Sequence, residues 1–354
     1  MAVTQHPRTL DDLPHGGFGV GTGGGQGGRS SGAAGRKRRR HESMSTWRWG
    51  DRIAYVLCWA AGLSLCLIAV AIVGYMAVKG VQYLKPELLW SHPSGEVDQS
   101  KSGGFLDPIL GTILLTIIGI AIATPIAVAA AIWVVEYGRP APLARAVESG
   151  IEVVAGTPDI VLAIFGLALF QHGLFGWMSF TAEGGAVFGR SFLTAGAMMS
   201  LIALPMVFGA TREGLQSIPR HVREASYGLG KTKIATIRRV LLPAVRPNIS
   251  TGAALGMGRI AGDTAIVVIL LGATLRLESE GSIPGLDVLK GTGSTLTSYV
   301  YNNSPAGEGA APEKAYAAAF VLLLLVVALN FAVDLIARRG AKTGLEGTRL
   351  GAGR

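Results

Sequence analysis

Residues 224–243 read EASYGLGKTKIATIRRVLLP. They sit inside a longer polar segment, 211–249, that carries eight Lys and Arg residues against two acidic ones. That segment is too polar to enter lipid, yet apolar runs bracket it: 193–210 has no charge, and 250–271 is interrupted only by Arg259 and Asp263. Working outward, 53–78 and 109–135 are also uncharged, and 315–336 contains only Asp334. An apolar run of about 18 residues or more is long enough to cross a hydrocarbon core of roughly 30 Å as a helix. A further run, 153–170, is interrupted by Thr157, Pro158 and Asp159. With it the expectation is six spans, an all-α integral membrane protein. Composition agrees: of 354 residues 49% are hydrophobic and 16% charged, and the mean hydropathy of +0.43 is too apolar for an ordinary soluble domain.

Charge sets the expected orientation. With both termini in the cytoplasm, 24 of the 32 Lys and Arg residues fall on cytoplasmic segments and 7 on external ones, leaving Arg259 in the membrane. That is the positive-inside bias. Residues 1–50 form a Gly-rich tail with the basic run Arg36, Lys37, Arg38, Arg39 and Arg40, expected to be disordered. Placed just ahead of a span, the run reads as a topology anchor touching anionic lipid rather than a nucleic-acid patch. A cleavable signal peptide is not expected, because the first apolar run starts after residue 50 and is too long for one. The loop 273–314, rich in Gly, Ser and Asn and more acidic than basic, is expected outside, where it caps a path or meets a partner. Cys58 and Cys66 lie in one span, about two turns apart, too distant to bridge in a straight helix; neither a disulfide framework nor metal spacing is present.

Within 224–243 the order is specific. Glu224, Ala225 and Ser226 are followed after three residues by Gly230, then after nine by Val240, Leu241, Leu242 and Pro243. Small residues allow close approach to another surface, and Gly230 permits a sharp turn between two short helices. A relaxed P-loop pattern overlaps it: Ala225, then Gly230, Lys231 and Thr232. It is rejected, because a P-loop needs a buried strand just before the glycine-rich turn, and 218–224 is mostly polar and basic. The spacing resembles the EAA signature of ABC-importer permeases, with Ser226 for a second alanine and Val240 for isoleucine. The resemblance implies that this elbow seats in a groove on a separate ATP-hydrolysing subunit, Glu224 making polar contacts there.

Arg259 and Asp263 stand near the middle of the fifth span, where each charge costs roughly 2.5–3.5 kcal/mol to insert. Four positions apart, they are expected on one helix face, able to pair. Arg259 offers an anion a guanidinium fork, with Asp263 holding it or accepting a proton from a protonated oxyanion; a buried interhelical clamp is the alternative. Pro158 cannot sustain a regular third span, and broken helices are tolerated where they line a cavity. Free amides and the Thr157 hydroxyl at the break can bind an anion; a simple kink is the other reading.

These residues widen the resemblance. GTPDIVLAIFG (156–166), RIAGDTA (259–265, including Thr264) and 111–138 are similar to phosphate-importer permeases of the PstA type, over roughly 104–337. What this implies is a six-helix type I, MetI-like bundle in the cell membrane: a first helix and external loop (51–104), a permease domain (105–340) containing the coupling loop 211–249, and a C-terminal tail (341–354). It implies no cofactor on this chain, ATP being used by an ABC ATPase partner expected as a dimer. A second homologous permease and an external phosphate-binding protein complete the assembly. Three positions depart from the family pattern: Asp159 stands for serine, Asp263 for glutamate, and Gly209 for an arginine, the nearest being Arg212. Sulfate or molybdate as cargo, and the partner permease of the same complex, stay open as alternatives. An intramembrane aspartyl protease using Asp159 and Asp263 is disfavoured, since neither lies in the required motif.

Overall fold

The computed structural model describes residues 49–93, 103–179, 182–183, 186–187, 189–272, 286–305, 307 and 311–351. The basic run 36–40, the tail before residue 49 and residues 273–285 of the external loop lie outside the described residues. The chain divides into Met1–Leu63 and Ser64–Arg354. The described part of the first unit is the start of helix α1 (Trp49–Tyr83), with no buried residue.

The second unit holds the rest of α1, then α2 (Pro86–Trp90) and α3 (Leu106–Ile132), which continues through a wide helical turn, Trp133–Tyr137. Next come α4 (Ala141–Gly156), α5 (Asp159–Phe170) and a hairpin of two-residue strands, β1 (Ala182–Glu183) and β2 (Ala186–Val187), which with an isolated bridge between Pro93 and Gly103 departs from all-helical structure among the described residues. After α6 (Phe192–Ser217), two short helices follow, α7 (Arg220–Gly228) and α8 (Lys233–Thr236). A wide turn, Ile237–Leu241, leads into α9 (Leu242–Gly262), and a second, Val267–Leu271, follows it. The chain closes with α10 (Leu286–Lys290), α11 (Leu296–Asn303) and α12 (Pro312–Gly351).

Four of the six predicted spans are single helices long and apolar enough to cross a membrane: Trp49–Tyr83, Leu106–Tyr137, Phe192–Ser217 and Pro312–Leu335. The other two differ from expectation. The third is a pair, α4 and α5, meeting at 106°, because Pro158 offers no amide to the preceding turn and biases Thr157 toward its extended backbone, ψ 131°. The fifth, expected to run to residue 271, stops as a regular helix at Gly262, and Asp263 is extended at ψ 139°.

Helix α6 is the central post, with buried residues from Phe192 to Leu215. Ser191 starts it with a capping box: its side chain accepts from Thr194 N while Thr194 Oγ1 accepts from Ser191 N. On one side Met198, Met199 and Ile202 pack with Leu115, Ile260, Ile266 and Leu270. Further along, Val207, Phe208 and Leu215 pack with Ala127, Leu241 and Val245. Between α6 and α9 the approach is close: a Cβ at Gly252 would lie 2.8 Å from Val207 Cα, and one at Gly256 3.1 Å from Ala203 Cβ. Two glycines four apart form the small-residue stripe that lets membrane helices meet backbone to backbone. Hydroxyls at Thr112 and Thr116 in α3 and at Thr211 in α6 donate to the carbonyl four residues earlier at 2.7 Å, so these three protons are not stranded in an apolar setting.

Candidate functional site

The segment 224–243 forms an elbow. Pro219 precedes α7, and the helix ends in a paired closure: Gly230 N donates to Tyr227 O at 2.9 Å and Lys231 N to Ser226 O at 3.2 Å. This closure needs a left-handed residue after the cap, and Gly230 supplies it at φ +73°. Thr232 then caps α8, its hydroxyl accepting from Ala235 N at 3.3 Å. Glu224, Ala225, Tyr227, Leu229, Gly230 and Ile234 are exposed. Ser226 is not among them: it is buried, its hydroxyl 2.8 Å from that of Thr236. It joins the two arms of the elbow, which gives the serine a physical role that alanine lacks. At the far end Leu241 is fully buried, Val240 and Leu242 are half-buried and Pro243 is exposed in the first turn of α9. A helix, not a strand, precedes the Gly-Lys-Thr triplet, so no P-loop exists here.

Two side chains that the sequence reading counted only as topology charges mount the elbow. Arg223 donates through Nε to Glu136 at 2.9 Å, through Nη1 to Ile218 O at 2.7 Å and through Nη2 to Leu215 O at 2.8 Å. It thereby satisfies carbonyls at the end of α6. Lys233 donates to the carbonyl of Glu136 and lies 4.3 Å from the Tyr137 ring centre, a cation–π contact. Both therefore grip the turn that ends α3. A basic residue one position before the Glu-Ala-Ser triplet, paired with an acid ending an apolar run, was the available signal. Beside the elbow a cleft of about 710 Å³ is lined by Glu136, Arg145, Glu148, Arg220, Glu224 and Tyr227, among others.

The membrane charges form a second cluster. Arg259 Nη2 contacts Asp159 Oδ1 at 3.0 Å and Oδ2 at 3.4 Å. The expected pairing of Arg259 with Asp263 is not formed, because α9 ends one residue before Asp263 and the four-residue helical spacing lapses. Asp263 instead starts the next segment: its Oδ2 accepts from Ile266 N at 2.8 Å, and its own carbonyl accepts from Thr297 Oγ1 at 2.9 Å. Asp159 and Arg259 are the charged groups that face it. Pro158 occupies the cap position of α5 and Asp159 its first turn, where a negative charge meets the positive end of the helix. The Thr157 hydroxyl does not point free; it donates to Val153 O at 2.7 Å. Thr264 is half-buried and its carbonyl accepts from Val268 N at 3.0 Å. Gly209 faces open space, and Arg212 one turn on pairs with Glu148 at 2.7 Å.

Sequence reading missed the hydroxyls around Asp263. Thr295 and Ser298 box the start of α11, Thr295 and Thr297 share a hydrogen bond of 2.7 Å, and Leu296 N donates to Thr112 Oγ1 at 2.9 Å. The Gly-Ser-Thr composition of 291–298 reads as loop, and only the Thr-x-x-Ser spacing marks a buried helix start.

The model of the family described as "Binding-protein-dependent transport system inner membrane component" matches residues 105–342. The chain belongs to that family. As a member of the binding-protein-dependent permeases it is a multi-pass membrane protein with a MetI-like helical fold. It is 29% identical over 248 residues to the phosphate transport system permease protein PstA 1 of Mycobacterium tuberculosis (strain CDC 1551 / Oshkosh), covering 70% of this chain and 75% of that protein. To the phosphate transport system permease protein PstC of Mesorhizobium japonicum it is 27% identical over 258 residues, covering 68% and 76%. In fold it is similar to a chain of a bacterial ABC transporter that imports the acidic polysaccharide alginate, with TM-score 0.55, 15% identity, and 82% and 98% of the two chains covered.

Proposed function

We propose that this chain is the membrane subunit of an ATP-driven importer and that its cargo is inorganic phosphate. The observation that carries the reading is the mounted elbow: an exposed Glu224 to Ile234 surface, set by Gly230 and fastened by Arg223 and Lys233 to the end of α3. Such a surface suits a partner that hydrolyses ATP and pushes. The chain itself has no nucleotide-binding turn at this place, so catalysis belongs to that partner, expected as a dimer. A second homologous permease, an external phosphate-binding protein and the bilayer are the other partners; no cofactor and no nucleic acid is needed by this chain. The Lys and Arg distribution supports a cytoplasmic position for the elbow and both termini.

Support for phosphate comes from the named relatives and from Arg259, whose fork matches tetrahedral oxygens. In the proposed path Arg259 receives the anion at the junction of α5 and α9. Asp263 stays fixed by Ile266 N and orients that junction, and Thr157, Pro158 and Thr264 shape its walls. The test is uptake of labelled phosphate into vesicles reconstituted with the full importer. Arg259→Ala should abolish uptake while leaving membrane insertion intact; undiminished uptake would refute the assignment.

A further inference from the structure

We infer that Asp159 is a tethered counter-ion: it occupies the guanidinium of Arg259 when cargo is absent, and the transported anion displaces it. The inference rests on Arg259 lying in the anion path.

Two arginine–carboxylate pairs in this molecule show the difference between a clamp and a displaceable contact. Arg223 spends all three guanidinium nitrogens on Glu136 and two carbonyls, and the side chains are only 17% and 6% exposed. Arg259 uses Nη2 alone for both oxygens of Asp159, and its Nε and Nη1 make no hydrogen bond among the described residues, with Asp263 as a further charge nearby. Its side chain is 41% exposed and that of Asp159 is 32% exposed. An anion can therefore reach the unused edge of the fork while Asp159 still holds the other, so exchange needs no bare intermediate.

The surroundings permit the swing. Gly156 and Gly262, flanking the two breaks, have nothing within 4 Å of a would-be side chain. Asp159 follows a 106° bend at Thr157–Pro158, where a small backbone change re-aims the carboxylate. Asp263 cannot serve the same role, since Ile266 N and Thr297 fix it at both its side chain and its carbonyl. A carboxylate carries charge and oxygens like those of the cargo, so it keeps Arg259 neutralised and yields only to an anion that binds the fork better.

The test is equilibrium binding of labelled inorganic phosphate to the full-length chain, purified with its co-purifying subunits in a maltoside detergent free of phospholipid. Asp159→Asn keeps size and removes charge, and should tighten binding about fivefold, the range of a part-exposed ion pair. Asp159→Ser should do the same, and Arg259→Gln should remove the gain from either. Unchanged or weaker binding in both Asp159 variants, with binding still lost in Arg259→Gln, overturns the counter-ion role and leaves the anion path standing. Full binding by Arg259→Gln itself overturns the path. Failure of both Asp159 variants to fold makes the pair a structural clamp and also overturns the inference.

Discussion

Replacing Arg223 by alanine should loosen the elbow without unfolding the bundle. The side chain makes three hydrogen bonds, and its partner Glu136 is 6% exposed. Removing one member of a buried pair strands the other, at a cost of roughly 3–5 kcal/mol. The Arg212–Glu148 pair is the internal control: it is 38% and 25% exposed, and exposed pairs contribute ~1 kcal/mol or less. The difference, about 2 kcal/mol at the least, corresponds to roughly thirtyfold in a local opening equilibrium. Hydrogen exchange of the α7 amides measures that opening directly. Arg223→Ala should raise their exchange at least that much relative to Arg212→Ala, while the buried amides of α6 between Phe192 and Val207 stay protected. Transport-linked ATP hydrolysis should fall in parallel. Equal exchange in the two variants, with coupling intact in both, would refute the claim that Arg223 is the mount.

Gly230→Val places a β-branched side chain at φ +73°, a conformation that costs an L residue about 1–2 kcal/mol; coupled ATP hydrolysis should drop while membrane insertion is unchanged. Glu224→Lys, on the exposed face of the same elbow, should give the same phenotype through lost docking, and co-purification of the ATPase subunit reads the difference between the two. Gly252→Leu forces side-chain atoms into the space held by Val207 Cα; overpacking of this kind costs about 1–3 kcal/mol, and a lowered thermal midpoint in detergent is the measure.

Spans were legible wherever apolarity ran uninterrupted, because length and the absence of charge decide a crossing without reference to neighbours. The elbow was legible for a similar reason: Gly230 and the flanking small residues act locally. What escaped were contacts between distant segments. Nothing in the neighbourhood of Arg259 shows that its partner would be Asp159, exactly one hundred positions away; the four-residue spacing to Asp263 pointed to the wrong acid because it assumed a helix that continues. Asp159, which departs from the serine of the resembled family, has a guanidinium beside it. Ser226 read as one of the small residues that approach another surface, standing for a second alanine, and is instead an internal tie to Thr236. Glu136, Arg223 and Lys233 were visible as charges, but their convergence depends on how α3 ends.

The Gly252 and Gly256 stripe has a mechanical meaning beyond close fit. Where helices interlock through large side chains, sliding one past the other requires those chains to change rotamer together. A seam where backbone meets backbone has no such teeth. Its cohesion is divided among many atom pairs worth about 0.1–0.2 kcal/mol each, and a small axial displacement exchanges one set of contacts for another of nearly equal strength. Helices α6 and α9 are joined in sequence by the elbow, so a displacement of the elbow would reach this smooth stretch, which ends on either side in interlocked side chains, Phe208 with Val245 and Met199 with Ile260.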